Sequence, residues 1–470
     1  MRRPFIVALS LVSLLLTSAC AAPDLGQKPV LKVATPASRL AGPVADWLTK
    51  DWWVDYGDLQ LTSLIETGLR SVPSIALAEA RLRRASALTG QASAAAAPSL
   101  SANAALAESK PSYNTGLPTP AALHGWNDTG RATLDFSYEF DLWGRTRASI
   151  AAATSEESAA RADTAAARLI VSTSIAAAYA DLARLFADRD VLSATLTIRE
   201  QTLDLVRRRA DRGYDSEAEL RQAEVGPPLA RADLEATDEQ IALARLRLAT
   251  LMGQGPQGAG AIARPNVASL HSPGAPANLP SALVARRPDL VAARWRAEAA
   301  SERIDVAHAA FYPNVNLIGL IGAQSLGIAN LAEAGSGLGS IGAVLNLPIF
   351  DGGRRKAGYR VARADYDAAV ATYDGVLNQA LEEVADAVTS QRALERRLAE
   401  SQQAREAATR AWRLAQRRYT AGSADFTAVL VAEDRMLTTQ RAVSALEARR
   451  FILDLALVRA LGGGWREASA

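Results

Sequence analysis

Three histidines, one cysteine and one glycine-rich word are the places where this sequence could hold a metal, a nucleophile or a phosphate. None has the company that chemistry needs. His124, His271 and His308 lie more than 30 residues apart with no ligand spacing around them, and each reads as structural or surface. Cys20 is the only cysteine, so no disulfide closes within one protomer and no cysteine-based metal site exists. Gly337-x-Gly339-x-x-Gly342 matches a dinucleotide word, but it follows a Gly-Ser loop and precedes a strand-like run. A phosphate cradle needs a strand-to-helix turn there, with the helix N-terminus aimed at the anion. Arg286-Arg287-Pro288-Asp289 resembles a basic patch, yet Pro288 suits a first helical turn and Asp289 sits where the helix dipole favours negative charge. The expectation is a protein that is not an enzyme, carries no cofactor and draws any energy for its work from a partner.

The carboxylates that do stand in a pattern are Asp135, Glu139 and Asp141. Residues 131–142 read Arg-Ala-Thr-Leu-Asp-Phe-Ser-Tyr-Glu-Phe-Asp-Leu, apolar at every even position and polar at every odd one. A strict period of two marks a strand with one greasy and one wet face, long enough to cross a bilayer at a tilt. Ser99 to Ala107 alternates more weakly, and Asn314 to Gly322 and Ile341 to Phe350 supply two further runs interrupted by glycines. A sheet in lipid must close, because unpaired edges cannot be hydrated there, and bacterial barrels begin at about eight strands. Four strands per chain imply an oligomer with a shared barrel. Four strands of a soluble sheet are the competing reading.

These strands sit inside a tandem repeat. Gly144, Gly213 and Gly253 recur as Gly353, Gly422 and Gly462 at an offset of 209, and Pro73 and Pro98 recur as Pro288 and Pro313 at 215. Each half reads short helix, strand, loop, strand, very long helix, turn, helix. Between Gly144 and Gly213 lie 68 residues rich in Ala, Arg, Leu and Glu without proline, a helix of roughly 100 Å at 1.5 Å per residue. The six-residue difference between the two offsets falls between proline and glycine, in a segment that tolerates insertion as surface loops do. Gly226-Pro227-Pro228 removes two backbone donors from the helix after the first turn. Either a bend or a fresh helix start at Pro227 is expected.

Composition agrees with long packed helices. Aromatics make up 6% of 470 residues and the net charge is +2, with no basic excess to suggest nucleic acid. After the N-terminus, no uncharged apolar run reaches the length of a membrane-spanning helix. At the N-terminus, Arg2 and Arg3 precede an apolar run over 5–16 and then Thr17-Ser18-Ala19-Cys20. That arrangement reads as a cleaved signal and resembles the bacterial lipobox, with Cys20 receiving lipid and Ala21 favouring the outer membrane. An ordinary secretory signal with an incidental cysteine is the alternative.

The words Trp52-Trp53, Phe140-Asp-Leu-Trp-Gly-Arg145, Leu279-Pro-Ser-Ala-Leu-Val-Ala-Arg-Arg-Pro-Asp-Leu290, Ala309-Ala-Phe-Tyr-Pro313 and Leu347-Pro-Ile-Phe-Asp-Gly-Gly-Arg354 resemble the TolC-like outer-membrane factor family, in its NodT-type lipoprotein branch. The resemblance covers nearly the whole mature chain. It implies an α+β fold in which a homotrimer pools its strands into a twelve-stranded outer-membrane barrel continuous with a long antiparallel helical periplasmic barrel. It further implies a passive exit duct working with a periplasmic adaptor (membrane fusion) protein and an inner-membrane resistance-nodulation-division pump. On that frame, residues 1–19 form the signal peptide and 20–72 a lipidated segment around the periplasmic equator. Residues 73–262 are the first repeat (strands about 98–108 and 131–143), 263–287 a linker, 288–462 the second repeat (strands about 313–323 and 340–350), and 463–470 a tail.

The turns at Gly213 and Gly422 become periplasmic tips that hold the gate and meet the adaptor. Tyr419 matches the tyrosine that helps to hold the gate shut, and Glu219 keeps the carboxylate where the family commonly has aspartate. Val431 replaces an aspartate that lines the constriction in many members, with Asp425 nearby on another helical face. A hydrophobic gate replaces the acidic ring in this reading. Asp135, Glu139 and Asp141 become lumen-facing strand residues, and outer-membrane lipid meets the other face. Two alternatives stay open: the duct of a type I protein secretion system, and a lipid-anchored coiled-coil scaffold that forms no pore.

Overall fold

The computed structural model describes residues 22–32, 49–114, 120, 124–265 and 281–467. The signal peptide, Cys20 and His271 lie outside them. After a short 3-10 turn at Trp52–Tyr56 come α1 (Leu59–Ser71), α2 (Pro73–Ala94), β1 (Ser99–Ser109), β2 (Asn127–Phe140), α3 (Arg145–Ala210) and α4 (Glu217–Leu251). The second half supplies α5 (Pro288–Ala309), β3 (Asn314–Leu326), β4 (Gly337–Asn346), α6 (Arg354–Thr420) and α7 (Phe426–Ala460). The class is α+β, and the same order of elements is used twice.

The repeat is written in the backbone. Gly144, Gly213 and Gly253 have φ of 76°, 74° and 70°, and their counterparts Gly353, Gly422 and Gly462 have 91°, 72° and 84°. Each ends or starts a helix in a conformation that a Cβ resists. At Gly253 an added Cβ would meet the Ser71 carbonyl oxygen at 2.7 Å; at Gly462 it would meet Arg287 Cα at 3.1 Å. Both are residues just ahead of a proline-started helix, so the same close approach is built twice.

Helices α3 and α6 run 66 and 67 residues, roughly 100 Å each, because alanine, arginine and glutamate fill them and proline does not. One window of α3 is apolar enough to pass for a membrane span, but 61% of it is buried inside the protein. Of the two expectations at Gly226-Pro227-Pro228, helix α4 corrects the fresh start: it passes through both prolines as one helix. Pro227 is buried against its neighbours, so packing holds the turn despite the missing N–H groups.

The chain forms two compact units. The first takes the described parts of Met1–Leu31, Leu82–Ala159 and Ala293–Tyr373 and contains the sheet. Its four strands are ordered β1-β2-β3-β4, all antiparallel. The second takes the described parts of Lys32–Arg81, Ala160–Ala292 and Asp374–Ala470. Its core gathers Trp52, Tyr56, Ile175, Tyr179, Leu182, Leu248 and Phe451, with Tyr56 edge-on to Phe451 at 4.9 Å. Buried Arg287 pins the start of α5 there, pairing with Asp289 at 2.7 Å and Glu383 at 2.6 Å and donating to the Ala460 carbonyl.

Candidate functional site

Register decides what each face of the sheet offers. Leu134 lies opposite Ala102 and Ile321, Phe136 opposite Leu100 and Gly319, and Gly319 opposite Ile341. Residues paired this way share a face, so one side of all four strands is apolar. It is also open: Leu100, Ile321 and Ile341 are 70%, 67% and 80% exposed. The other side is polar along β1 and β2, with Asn103, Thr133, Asp135, Ser137 and Glu139, and mixed along β3 and β4, where Asn316 stands among Ile318, Leu320 and Val344. There the Asp135 carboxylate accepts from Asn103 Nδ2 at 2.7 Å and Thr133 Oγ1 at 2.9 Å, while Glu139 accepts from Asn314 Nδ2 at 3.0 Å. Strands β1 and β4 are each paired on one edge only. The glycine word at 337–342 lies inside β4 and not at the turn into the helix that begins at Arg354.

Asp141 is a correction. The strand stops at Phe140, and Asp141 accepts from the backbone N–H groups of Thr146 at 3.0 Å and Arg147 at 2.9 Å while pairing with the Arg147 guanidinium. It satisfies the first turn of α3, whose N–H groups have no intrahelical acceptors. Asp351 does the same for α6, accepting from Gly353 and Arg355. The word that runs Phe-Asp-Leu-Trp-Gly-Arg at 140–145 and Phe-Asp-Gly-Gly-Arg at 350–354 is therefore a strand-to-helix corner. Beside it Trp143 stacks on Tyr312 at 4.6 Å and donates to the Pro313 carbonyl, and Phe350 stands 90% exposed. An aromatic collar at the end of an apolar sheet face suits a membrane–water boundary.

Residues 26–29 of the N-terminal segment lie along α5 and α6. Arg363 donates to the carbonyls of Gly26 and Gln27, Tyr366 donates to Pro29 O at 2.8 Å, and Lys28 reaches Ser301.

In the second unit, α3 and α6 end in the same way. Gly213 N–H bonds to Ala210 O and Tyr214 N–H to Arg209 O; Gly422 N–H bonds to Tyr419 O and Ser423 N–H to Arg418 O. These are paired left-handed caps. Ser216 and Glu219 then close a capping box on α4, and Asp425 caps α7 through Ala428 N–H at 3.0 Å. Glu219 is thereby occupied. The carboxylate that meets Tyr419 is Asp215, which accepts the Tyr419 hydroxyl and takes Arg209 Nε at 3.1 and 3.0 Å on its two oxygens. Arg209 also lies over the Tyr419 ring at 4.6 Å. Val206, Ala223, Phe426 and Val429 seal the cluster. Burial, and then the Asp215 carboxylate, hold the Tyr419 hydroxyl above the ordinary tyrosine range, so it stays a donor. The structure thus joins Tyr419 to the loop after Gly213, while Val431 stays apart, 62% exposed on α7. Asp215 and Arg209 had been missed because counting from Gly213 favoured the carboxylate at 219.

Among the described residues no group of three or more His, Cys, Asp and Glu is placed to hold a metal ion.

A half-built antiparallel sheet with an apolar open face, joined in tandem to 66- and 67-residue helices, defines a protomer of the outer-membrane channel class. The outer membrane efflux protein model matches residues 64–254 and 279–463, one match in each half, and the chain belongs to that family. It is similar to the multidrug resistance outer membrane protein MdtQ of Escherichia coli O6:H1, 29% identical with 99% of each chain covered. It is 35% identical to the fusaric acid resistance protein FusA of Burkholderia cepacia over 70% of this chain, which spans 63% of that protein's length. Among solved structures, the outer membrane protein VceC of Vibrio cholerae superposes with a TM-score of 0.84 at 42% identity, covering 88% of this chain and 99% of that one.

Proposed function

We propose that this chain is one protomer of a homotrimeric outer-membrane duct through which drugs or other small molecules leave the cell. It supplies no energy and no chemistry; an inner-membrane resistance-nodulation-division pump drives transport, and a periplasmic adaptor joins the two. The observation that carries this reading is the open-edged sheet with one apolar, exposed face. Such a sheet is stable in lipid only when β1 and β4 pair with other copies, and its polar face, with Asp135 and Glu139, then lines water. Helices α3 and α6, which follow β2 and β4, wall the periplasmic part. Lipid on Cys20 adds a second hold, and the pinned segment from Gly26 to Pro29 ties that anchor to α5 and α6. We assign the repeats to 73–262 and 288–462, with 263–287 as linker.

The Tyr419–Asp215–Arg209 cluster is the closing latch of the tips, and Gly213, Gly422, Glu219 and Asp425 set the turns that present it to the adaptor. Relatives named for multidrug and fusaric acid resistance support a cargo of small organic molecules. The test is deletion of the gene followed by drug susceptibility, with conductance of the purified protein in planar bilayers. Greater sensitivity to several drugs together with discrete conductance steps is expected. Unchanged susceptibility and no conductance overturn the proposal, and loss of protein secretion alone redirects it to a secretion duct.

A further inference from the structure

Above the two tip turns, three helices meet on one ion pair. Arg199 on α3 donates through Nε to Glu433 Oε1 on α7 at 3.1 Å, and through Nη1 to the Gly226 carbonyl on α4 at 3.3 Å. Glycine at 226 permits the approach, since a Cβ there would sit 3.2 Å from Arg199 Cδ. Glu433 is 2% exposed, and its second oxygen, Oε2, has no hydrogen-bond partner. The pair has no copy in the repeat: the offset of 209 sets Glu433 on Glu224 and Arg199 on Ala408, and Glu224 is engaged by Arg221 at 2.9 Å and Arg207 at 3.9 Å. Arg199–Glu433 therefore links the first hairpin (α3, α4) to the second (α6, α7).

The charges that act on Glu433 are Arg199 and, on its own helix, Asp434. From α4 the link receives the Gly226 carbonyl, and α6 brings uncharged Ala408 and Trp412 to the adjoining layer with Met436 and Leu437. A buried carboxylate with one oxygen unmatched is costly while ionised, and a proton on that oxygen removes the cost. Parting the hairpins lets water solvate Oε2 and removes the cost in the opposite way.

We propose that Glu433 is a proton-uptake site that couples closure of the two tip hairpins to acidity, protonation favouring hairpins held together and ionisation favouring hairpins parted. The proposal rests on the duct reading above. Burial pushes the Glu433 carboxyl above the usual carboxylate range by more than Arg199 draws it down, with Asp434 adding to the rise. The sign follows from linkage: the closed form binds the proton more tightly, so closure is gained as pH falls through the raised value and is complete below the ordinary glutamate value of about 4.3. Each unit by which the two forms differ in acidity changes their ratio up to about tenfold.

Nitroxide labels at the exposed tip positions Arg212 and Ala421, in assemblies diluted with unlabelled protomers, report the separation within one protomer by pulsed electron paramagnetic resonance. Between about pH 7.5 and about pH 4 the wild-type separation contracts, with a midpoint above the ordinary glutamate value of about 4.3, and bilayer leak falls with it. Glu433→Gln is contracted and low in leak at both, whereas Asp434→Asn keeps the wild-type response. A wild-type separation that ignores pH, or a Glu433→Gln variant that retains the response, overturns the proposal. Should Glu433→Gln fail to assemble, the wild-type titration still decides the matter. Contraction without conductance at any pH removes the duct reading and leaves the proton coupling in place; conductance without contraction does the reverse.

Discussion

Replacing Tyr419 with phenylalanine deletes one oxygen from the tip cluster and leaves its packing in place. The lost interaction is the hydroxyl bond to Asp215, whose side chain is 3% exposed beside Arg209 at 19%. A hydrogen bond to a charged group contributes about 1.5–3 kcal/mol. Asp215 keeps both contacts to Arg209 Nε, so no buried charge is orphaned and the lower end of that range applies. About 1.5 kcal/mol is roughly a tenfold rise in the open-to-closed ratio. Purified protein in a planar bilayer reads this ratio as open probability. Tyr419→Phe raises it roughly tenfold, while Asp215→Ala, which strands both the hydroxyl and the guanidinium, raises it further or unfolds the tip. Equal open probability in wild type and Tyr419→Phe, with both correctly assembled, would refute the latch.

Leu134→Arg places a cation in the middle of the apolar sheet face and costs about 2–4 kcal/mol if that face meets lipid; the variant is depleted from the outer-membrane fraction, whereas Asp135→Asn on the opposite face inserts normally. Arg287→Ala removes a buried guanidinium from Asp289 and Glu383, whose side chains are 44% and 29% exposed, so water takes over part of the lost pairing and stability falls by about 1.5–3 kcal/mol, read as a fall in melting temperature with the sheet's antiparallel signature intact. Val431→Asp adds a carboxylate to an exposed face of α7; if that face lines the constriction, cation selectivity rises, and unchanged selectivity and leak remove position 431 from the gate.

Local pattern carried most of the architecture in the sequence. Alternation over 131–142 exposed β2 because one face meets a different medium from the other, and the 209-residue offset located the two turns that end α3 and α6 through glycines that need positive φ. Strand β1 alternates weakly because small residues such as Ala102 and Ala104 serve its apolar face, yet the run from Ser99 to Ala107 still located it, and the structure adds its register with β2. Asp141 was misread because the alternation runs two residues past the strand end into the corner, where a helix N-terminus claims the carboxylate. A fresh helix start at Pro227 was expected because local propensity counts missing donors and not the packing around Pro227. Asp215 meeting Tyr419, and Arg199 meeting Glu433, join residues more than 200 positions apart, and nothing in short-range spacing encodes such pairs.

The central claim is that β1 and β4 each need another copy of the chain. Single cysteines scanned along β1 and β4 of the same chain, oxidised in intact outer membranes, test it directly. We predict a cross-linked ladder that passes through dimer and stops at trimer, formed only by pairs that join β4 of one protomer to β1 of its neighbour. A chain that stays monomeric at every pair, or a ladder that continues past three, contradicts the account.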